Sequence, residues 1–179
     1  MVTKAYAGIG SRSTPEHIQT LMSRIARALW HDGYTLRSGG AQGADRAFAN
    51  GAGTADIFLP WPSFAPVRFV GHTYMDRPTA AATAIAREFH PVWKSLGQGA
   101  QKLHSRNTHQ ILGGNLDDPV RFVICWTDPN KEGGTGQALR LARHRGIQIF
   151  NLNDPTTYNR LLAYACKSER EHDESATEL

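Results

Sequence analysis

Tyr34-Thr35-Leu36-Arg37-Ser38-Gly39-Gly40-Ala41-Gln42-Gly43-Ala44-Asp45 is the stretch of this chain that decides its fold. It begins with a short run that contains an aromatic and a β-branched side chain, which predicts a strand. A glycine-rich turn follows, and small residues through about Ala52 predict a helix. A strand, a glycine loop and a helix in this order form the repeating unit of a parallel sheet covered by helices.

The same unit occurs twice more along the chain. Residues 4–9 predict a first strand, which Gly8-Ile9-Gly10-Ser11-Arg12 joins to an amphipathic helix ending near residue 32. Residues 119–126 form a nearly continuous apolar run that predicts a strand buried on both faces, and we expect it to be the central strand. Gly133-Gly134-Thr135-Gly136 then precedes a helix predicted over 137–145, a strand over 146–150 and a helix over 155–165. The sequence therefore predicts a three-layer α/β fold, a parallel sheet with helices on both faces.

Residues 60–115 interrupt this rhythm after a third predicted strand at 56–60. Prolines at 60, 62, 66 and 78 predict a long loop over 60–78, and helices are predicted over 79–90 and 100–112. We interpret about 60–115 as a helical insertion in a single domain, 1–166. The last segment, 167–179, has two basic and five acidic side chains and predicts an acidic flexible tail.

Composition limits the class of protein. A chain of 179 residues fits one domain, and its two cysteines, Cys125 and Cys166, cannot form a disulfide framework or a four-thiolate zinc site. No apolar run approaches the roughly 20 residues of a membrane span, and the start lacks a signal peptide's apolar stretch, so we expect a cytoplasmic protein. The net charge is +4, which favours an anionic partner or reflects an ordinary soluble surface.

The three glycine loops indicate a ligand site. The carboxyl ends of parallel strands meet at one edge of the sheet, so we expect the loops to lie together. Glycine lets backbone N–H groups approach an anion, and a helix N-terminus attracts one, so this edge suits phosphate. The alternative is that the glycines only make tight turns. A dinucleotide-binding fingerprint and a Gly-Lys-Ser/Thr motif are both absent, which disfavours NAD-dependent chemistry and ATP hydrolysis, and we predict no cofactor.

Two further segments offer candidate side chains. The polar stretch His104-Ser105-Arg106-Asn107-Thr108-His109-Gln110 either contributes a ligand clamp, with Arg106 and Asn107 on a phosphate or a base edge, or forms a solvated helix face. Trp61, Phe64 and Tyr74 either stack on a base or cover the end of the sheet. The eight histidines have no metal-ligand spacing, so we predict no metal site.

Residues 38–45, with Ala47 downstream, resemble the Ser-Gly-Gly-Ala-x-Gly-x-Asp signature of the DNA-processing protein A (DprA/Smf) family, which lies within the SLOG superfamily of Rossmann-like proteins. The first loop and the segment from Gly133 to Phe150 are similar to that family's first and last loops. About half of the chain takes part in the resemblance, and the whole resembles small single-domain SLOG proteins of bacteriophages. The resemblance implies a Rossmann-like fold, a nucleotide-derived ligand with a phosphate that is sensed or sequestered, and a homodimer or higher homo-oligomer. It also makes single-stranded DNA a possible partner.

Catalysis is less clearly indicated. The related LONELY GUY phosphoribohydrolases carry a glutamate in Pro-Gly-Gly-x-Gly-Thr-x-x-Glu, and Arg140 stands at that position here, so hydrolysis by their scheme is not expected. Asp45, Asp128 and Glu132 remain candidates, although an aspartate in a glycine loop more often caps a helix or accepts from a ribose hydroxyl. No catalytic residue is assigned, and whether the protein is an enzyme stays open.

The sequence thus predicts binding of a nucleotide-derived, phosphate-bearing small molecule at the carboxyl edge of the sheet. A hydrolase of an N-glycosidic or phosphate bond is one alternative, and binding of single-stranded DNA is another. The predicted ligand-binding residues are Gly8, Gly10, Ser11, Arg12, Ser38, Gly39, Gly40, Gln42, Asp45, Arg106, Asn107, Gly133, Gly134, Thr135 and Gly136.

Overall fold

A computed structural model describes residues 4–128 and 133–177. In this part of the chain, parallel strands form a single sheet in the order β4-β3-β2-β1-β5-β6. The strands are β1 Ala5–Gly10, β2 Thr35–Ser38, β3 Ala55–Phe58, β4 His72–Met75, β5 Phe122–Trp126 and β6 Gln148–Asn151.

Helices cover both faces of the sheet. They are α1 Glu16–His31, α2 Ala44–Gly51, α3 Ala80–Glu88, α4 Gln98–Leu112, α5 Gly134–His144 and α6 Pro155–Thr177. One face carries α1, α2 and α6, the other carries α4 and α5, and α3 packs on the outside of α4. The predicted three-layer α/β fold of the Rossmann type is therefore confirmed. Across residues 4–128 and 133–177, no helix has the length and apolarity that a membrane span requires.

Two apolar cores, one on each face, explain the composition of the strands. In β5, Ile124 packs into the core beneath α1, α2 and α6, whereas Val123 and Cys125 pack into the core beneath α4 and α5. Because a strand inside a parallel sheet is covered on both sides, its side chains are apolar in both directions. This burial accounts for the continuous apolar run that predicted β5.

Two strands, β4 and β5, differ from the sequence prediction. Strand β4 lies inside the segment predicted as a loop, 60–78, and pairs with β3. As an edge strand it is only partly buried, so His72-Thr73-Tyr74-Met75 lacks the apolar run of an interior strand. Strand β5 was expected to be the central strand. It lies between β1 and the edge strand β6, and the centre of the sheet is the β2–β1 pair.

The last helix continues past the start of the predicted flexible tail. Helix α6 runs to Thr177 and packs along α1. Arg24 on α1 donates through Nε and Nη2 to the two carboxylate oxygens of Glu169, each at 2.7 Å, and Ser168 is buried. This charged segment is therefore part of α6 and packs against α1, a contact that composition alone does not reveal.

The order of the strands locates a crevice. From β1 the chain proceeds to β2, β3 and β4 on one side and later to β5 and β6 on the other. The connections from β1 and β5 therefore diverge above their carboxyl ends, and open parallel sheets bind ligands in the crevice at such a switch point.

Candidate functional site

A cleft of about 590 Å³ lies over the carboxyl ends of β1 and β5. Residues 9–13 form one wall, the first turn of α5 forms another, and α4 contributes Leu103, Arg106, Asn107 and Gln110. Asp45 and the end of β5 complete the lining. A volume of a few hundred Å³ is typical of small-molecule sites.

The α5 wall presents backbone donors. Gly133, Gly134 and Thr135 line the cleft, and α5 begins at Gly134, three residues earlier than predicted. A Cβ added at Gly133 or Gly134 would meet no atom of the described residues within 4 Å, so the described part of the chain leaves this backbone uncovered. The first N–H groups of a helix have no partner within the helix and carry a partial positive charge, so this wall attracts an anion.

The first loop forms the opposite wall and is held by hydrogen bonds. Ser11 N donates to Trp126 O at 3.1 Å, and Thr14 Oγ1 donates to Ser11 O at 2.7 Å. Ser13 N donates to Ser11 Oγ at 3.1 Å, so this hydroxyl accepts a bond inside the loop. The Arg12 side chain is exposed at the rim of the cleft, where its guanidinium could pair with an anionic ligand.

A buried ion pair forms the floor. Arg106 Nη1 donates to Asp45 Oδ2 at 3.2 Å, and their side chains are 7% and 4% exposed. Ala41 N also donates to Asp45 Oδ2, at 3.3 Å. Burial raises the pKa of Asp45, and the charge of Arg106 opposes that rise. Loss of either partner would leave an uncompensated buried charge.

Amide groups connect this pair to α5. In the orientation that satisfies its neighbours, the Gln110 amide oxygen accepts from Arg106 Nη1 at 2.9 Å and from Gly39 N at 2.8 Å. Its nitrogen then donates to Asn107 Oδ1 at 3.1 Å. Asn107 Nδ2 donates to Gly134 O at 2.9 Å. The floor is therefore a connected network, while Arg106 Nε is buried without a partner.

The second glycine loop is largely closed. Ser38 Oγ donates to Gly8 O at 2.6 Å, and Ala44 N donates to Ser11 O at 3.3 Å. Gly8 packs on the core, since an added Cβ would lie 2.6 Å from Phe48. Of the predicted site residues, those that do not line the cleft are Gly8, Ser38, Gly39, Gly40, Gln42 and Gly136. Gly40 and Gln42 line a smaller pocket instead.

The predicted residues that do line the cleft are Gly10, Ser11, Arg12, Asp45, Arg106, Asn107, Gly133, Gly134 and Thr135. Sequence reasoning did not assign Leu103, Gln110, Trp126 and Thr127. Trp126 and Thr127 lie where β5 ends, so the carboxyl-edge rule could have found them. Gln110 follows Arg106 by four residues on the same helix, which could have indicated it.

Of the candidate carboxylates, Asp128 lines the cleft. Glu132 lies outside the described residues.

Helix α4 is a buried element rather than the solvated face left open as an alternative. All residues from His104 to Leu112 are buried. His109 Nε2 accepts from Thr79 N at 3.1 Å, and Nδ1 lies 3.0 Å from Gly113 O, so this ring is satisfied within the protein. Among the described residues no group of three or more His, Cys, Asp or Glu side chains could hold a metal ion.

The three aromatic candidates Trp61, Phe64 and Tyr74 do not line the cleft. Phe64 and Tyr74 pack against the core beneath α1, α2 and α6, and Trp61 contacts Phe64 edge-on at 5.2 Å between ring centroids. This arrangement favours the interpretation that they cover the end of the sheet.

No protein-family model matches the chain, and no curated protein matches it in sequence. Among solved structures it is similar to DNA processing protein A from Helicobacter pylori, a protein described with its mode of binding single-stranded DNA, at 13% identity and a TM-score of 0.40 over 89% of this chain and 79% of that one. It is also similar to DNA processing protein A from Streptococcus pneumoniae, at 13% identity and a TM-score of 0.35 over 82% and 58% of the two chains. Likeness at this level identifies no ligand, reaction or partner for this chain, and its relation to SLOG proteins stays a prediction.

Proposed function

We propose that the protein binds a nucleotide-type small molecule in the cleft, with a phosphate between the first turn of α5 and Arg12. The observation that carries this proposal is the position of the unobstructed α5 N-terminus in a cleft at the topological switch point. Backbone N–H groups and a guanidinium are the donors that proteins commonly offer to phosphate.

The remainder of the cleft suits a nucleoside. Leu103 and Trp126 supply apolar surface, and the amides of Asn107 and Gln110 supply hydrogen-bonding groups nearby. Ligand pockets combine mainly apolar walls with a few fixed polar groups in this way. Asp45 is held in place by Arg106 and Ala41, so its carboxylate offers a fixed acceptor for a hydroxyl or an amino group. A ligand so held is sensed or sequestered rather than consumed.

Hydrolysis of the ligand is the second candidate. Asp128 lines the cleft, and a carboxylate there could activate a water molecule. Asp45 is less suited to that task because one of its oxygens accepts two hydrogen bonds and its charge is balanced by Arg106.

The test is to incubate the purified protein with a panel of mononucleotides, cyclic nucleotides and ADP-ribose-type ligands. The supernatant after heat denaturation is then analysed by liquid chromatography and mass spectrometry against a protein-free control. We expect one compound to be recovered intact and in proportion to protein. Isothermal titration with that compound should show an affinity about tenfold weaker for Arg12→Ala, which removes a charged hydrogen bond, and no change for Arg27→Ala on exposed α1 surface.

Other results would change the conclusion. Loss of the nucleotide with release of base or phosphate, abolished by Asp128→Asn, would favour the hydrolase. Binding of an oligonucleotide that weakens steeply with salt, with no binding of mononucleotides, would favour single-stranded DNA. Absence of binding to every member of the panel would overturn the proposal.

A further inference from the structure

Phe64 lies between two arginines of the cleft without lining the cleft itself. Its ring centroid is 5.5 Å from the guanidinium carbon of Arg106 and 5.9 Å from that of Arg12. Arg12 comes from the first loop and Arg106 from α4, whereas Phe64 comes from the segment between β3 and β4. One ring therefore contacts the cationic groups of two different walls.

The ring is the contact that restrains Arg12. Within residues 4–128 and 133–177, the exposed Arg12 side chain makes no side-chain hydrogen bond or ion pair, and its guanidinium faces the ring of Phe64. Arg106 differs, because Asp45 and Gln110 already hold it. The Asp45 carboxylate acts on Arg12 through charge, so among the described residues the Phe64 ring is the direct contact of the Arg12 side chain.

Phe64 is itself well supported. Its backbone N–H donates to Trp61 O at 3.1 Å, and the Trp61 ring meets it edge-on. The ring also packs against the core that includes Ile57 and Leu59. A fixed ring can hold a mobile side chain, since the negative face of an aromatic ring attracts a cation.

We propose that Phe64 is a positioning residue of the cleft, whose ring holds the Arg12 guanidinium where it faces the phosphate, while Arg106 stays paired with Asp45. The inference rests on the proposed function and assigns the segment between β3 and β4 a part in it. The ring acts only on the charged groups, so it controls affinity for the phosphate and not for the nucleoside.

The experiment measures nucleotide and nucleoside affinity separately. Isothermal titration first finds which of AMP, GMP, CMP and UMP binds the parent protein most tightly, and then compares that nucleotide with its nucleoside. Phe64→Leu keeps apolar volume but removes the π face, and we expect about fivefold weaker nucleotide binding with unchanged nucleoside binding. Phe64→Tyr should restore nucleotide affinity to within about twofold of the parent, because it retains a ring that attracts cations.

Matched controls separate positioning from packing. Phe69→Leu alters a partly buried ring of the same segment that contacts His72 rather than the two arginines, so nucleotide affinity should be unchanged. If Phe64→Leu does not fold, Phe64→Met replaces it with a flexible side chain that fills the same space. A double-mutant cycle with Arg12→Ala should show that the two losses are not additive.

Two outcomes would overturn the inference while the proposed function stands. One is a nucleotide-to-nucleoside affinity ratio in Phe64→Leu equal to that of the parent, whether both affinities stay the same or fall by the same factor. The other is additive losses in the cycle. A parent protein that binds none of the four nucleotides, nor any other compound of the panel, removes the proposed function itself, and the inference with it.

Discussion

The second and third glycine loops have similar compositions and opposite environments. In the second, a Cβ added at Gly39 would lie 1.4 Å from Arg106 Nη1, and one at Gly43 would lie 2.6 Å from Ser11 O. In the third, no atom of residues 4–128 or 133–177 lies within 4 Å of that position at Gly133 or Gly134. Glycine is needed in the second loop because the protein packs closely there, whereas the third leaves its backbone exposed to the cleft.

This difference teaches what a glycine loop does and does not indicate. Asp45, in the first turn of α2, places the protein's own carboxylate where a phosphate would otherwise approach that helix. Arg106, the cation that would meet the phosphate, is paired with it. The second loop therefore meets the protein's own carboxylate, whereas the third loop is where we propose that the anion of a ligand binds.

Removal of that internal anion should have the largest effect. Asp45→Ala leaves Arg106 buried without its partner, so we expect the free energy of unfolding to fall by about 4 kcal/mol. Urea denaturation measures the change, with Glu16→Ala on exposed α1 surface as the control. The double variant Asp45→Leu with Arg106→Met removes both charges and should recover most of the stability. An Asp45→Ala protein as stable as the parent would contradict the ion pair's structural role.

Acid should loosen the helix that closes the second loop. Burial, with the nearby positive charges of His90, Arg140 and Arg106, lowers the pKa of His104 on α4 to about 4. The folded protein therefore favours the neutral His104 ring. The stability that results is complete above the ordinary histidine pKa near 6.5 and is lost as pH falls toward 4.

Unfolding free energy should therefore drop by about 3 kcal/mol from this group between pH 7 and pH 4. The measurement is urea denaturation at several pH values, and His104→Gln should flatten the profile, whereas exposed His17→Gln should not. A profile that His104→Gln leaves unchanged would show that this ring does not set the acid response.

Replacing a glycine with alanine adds a methyl group and tests directly whether the two loops differ in packing. Gly43 has φ +79°, and a side chain there would also press on the backbone of the first loop, so Gly43→Ala should cost about 2 kcal/mol of stability. Gly134→Ala should leave stability unchanged, because the space is open. Thermal denaturation compares the two. Equal costs at both positions would show that the loops do not differ in packing.

The smallest effect is expected at Ser38. Its hydroxyl donates to Gly8 O inside the protein, so Ser38→Ala should lower stability by about 1 kcal/mol and leave nucleotide affinity unchanged. Thr135→Val on the open loop is the matched variant for affinity, since Thr135 lines the cleft. A marked loss of nucleotide affinity in Ser38→Ala would mean that the second loop binds the ligand after all.

Local patterns were sufficient to predict the elements that bury a clear apolar face. Strand β5 was predicted from its apolar run, and α1 from the regular spacing of Ile18, Leu21, Met22 and Ile25, all of which are buried. Strand β4 and the extension of α6 were missed because their stability comes from partners distant in sequence, Ala55 to Phe58 for β4 and Arg24 for α6.

The candidate site was predictable to the extent that it follows from topology. The carboxyl-edge rule located Gly10 to Arg12 and Gly133 to Thr135, which the structure brings to one cleft. It could not show that Arg106, 61 residues from Asp45 in sequence, closes the second loop. Pairing of buried charges depends on the packing of α4 against the sheet, and residue spacing carries no signal for it.

The most direct test of the contrast between the loops is the backbone amide NMR spectrum of isotope-labelled protein, recorded while the nucleotide selected from the panel is added. We predict shift changes at the amides of Ser11 to Ser13 and of Gly134 and Thr135, with small changes at Gly39, Gly40 and Gly43. Shift changes largest at Gly39, Gly40 and Gly43, with Gly134 and Thr135 unmoved, would contradict the assignment of the open and the closed loop.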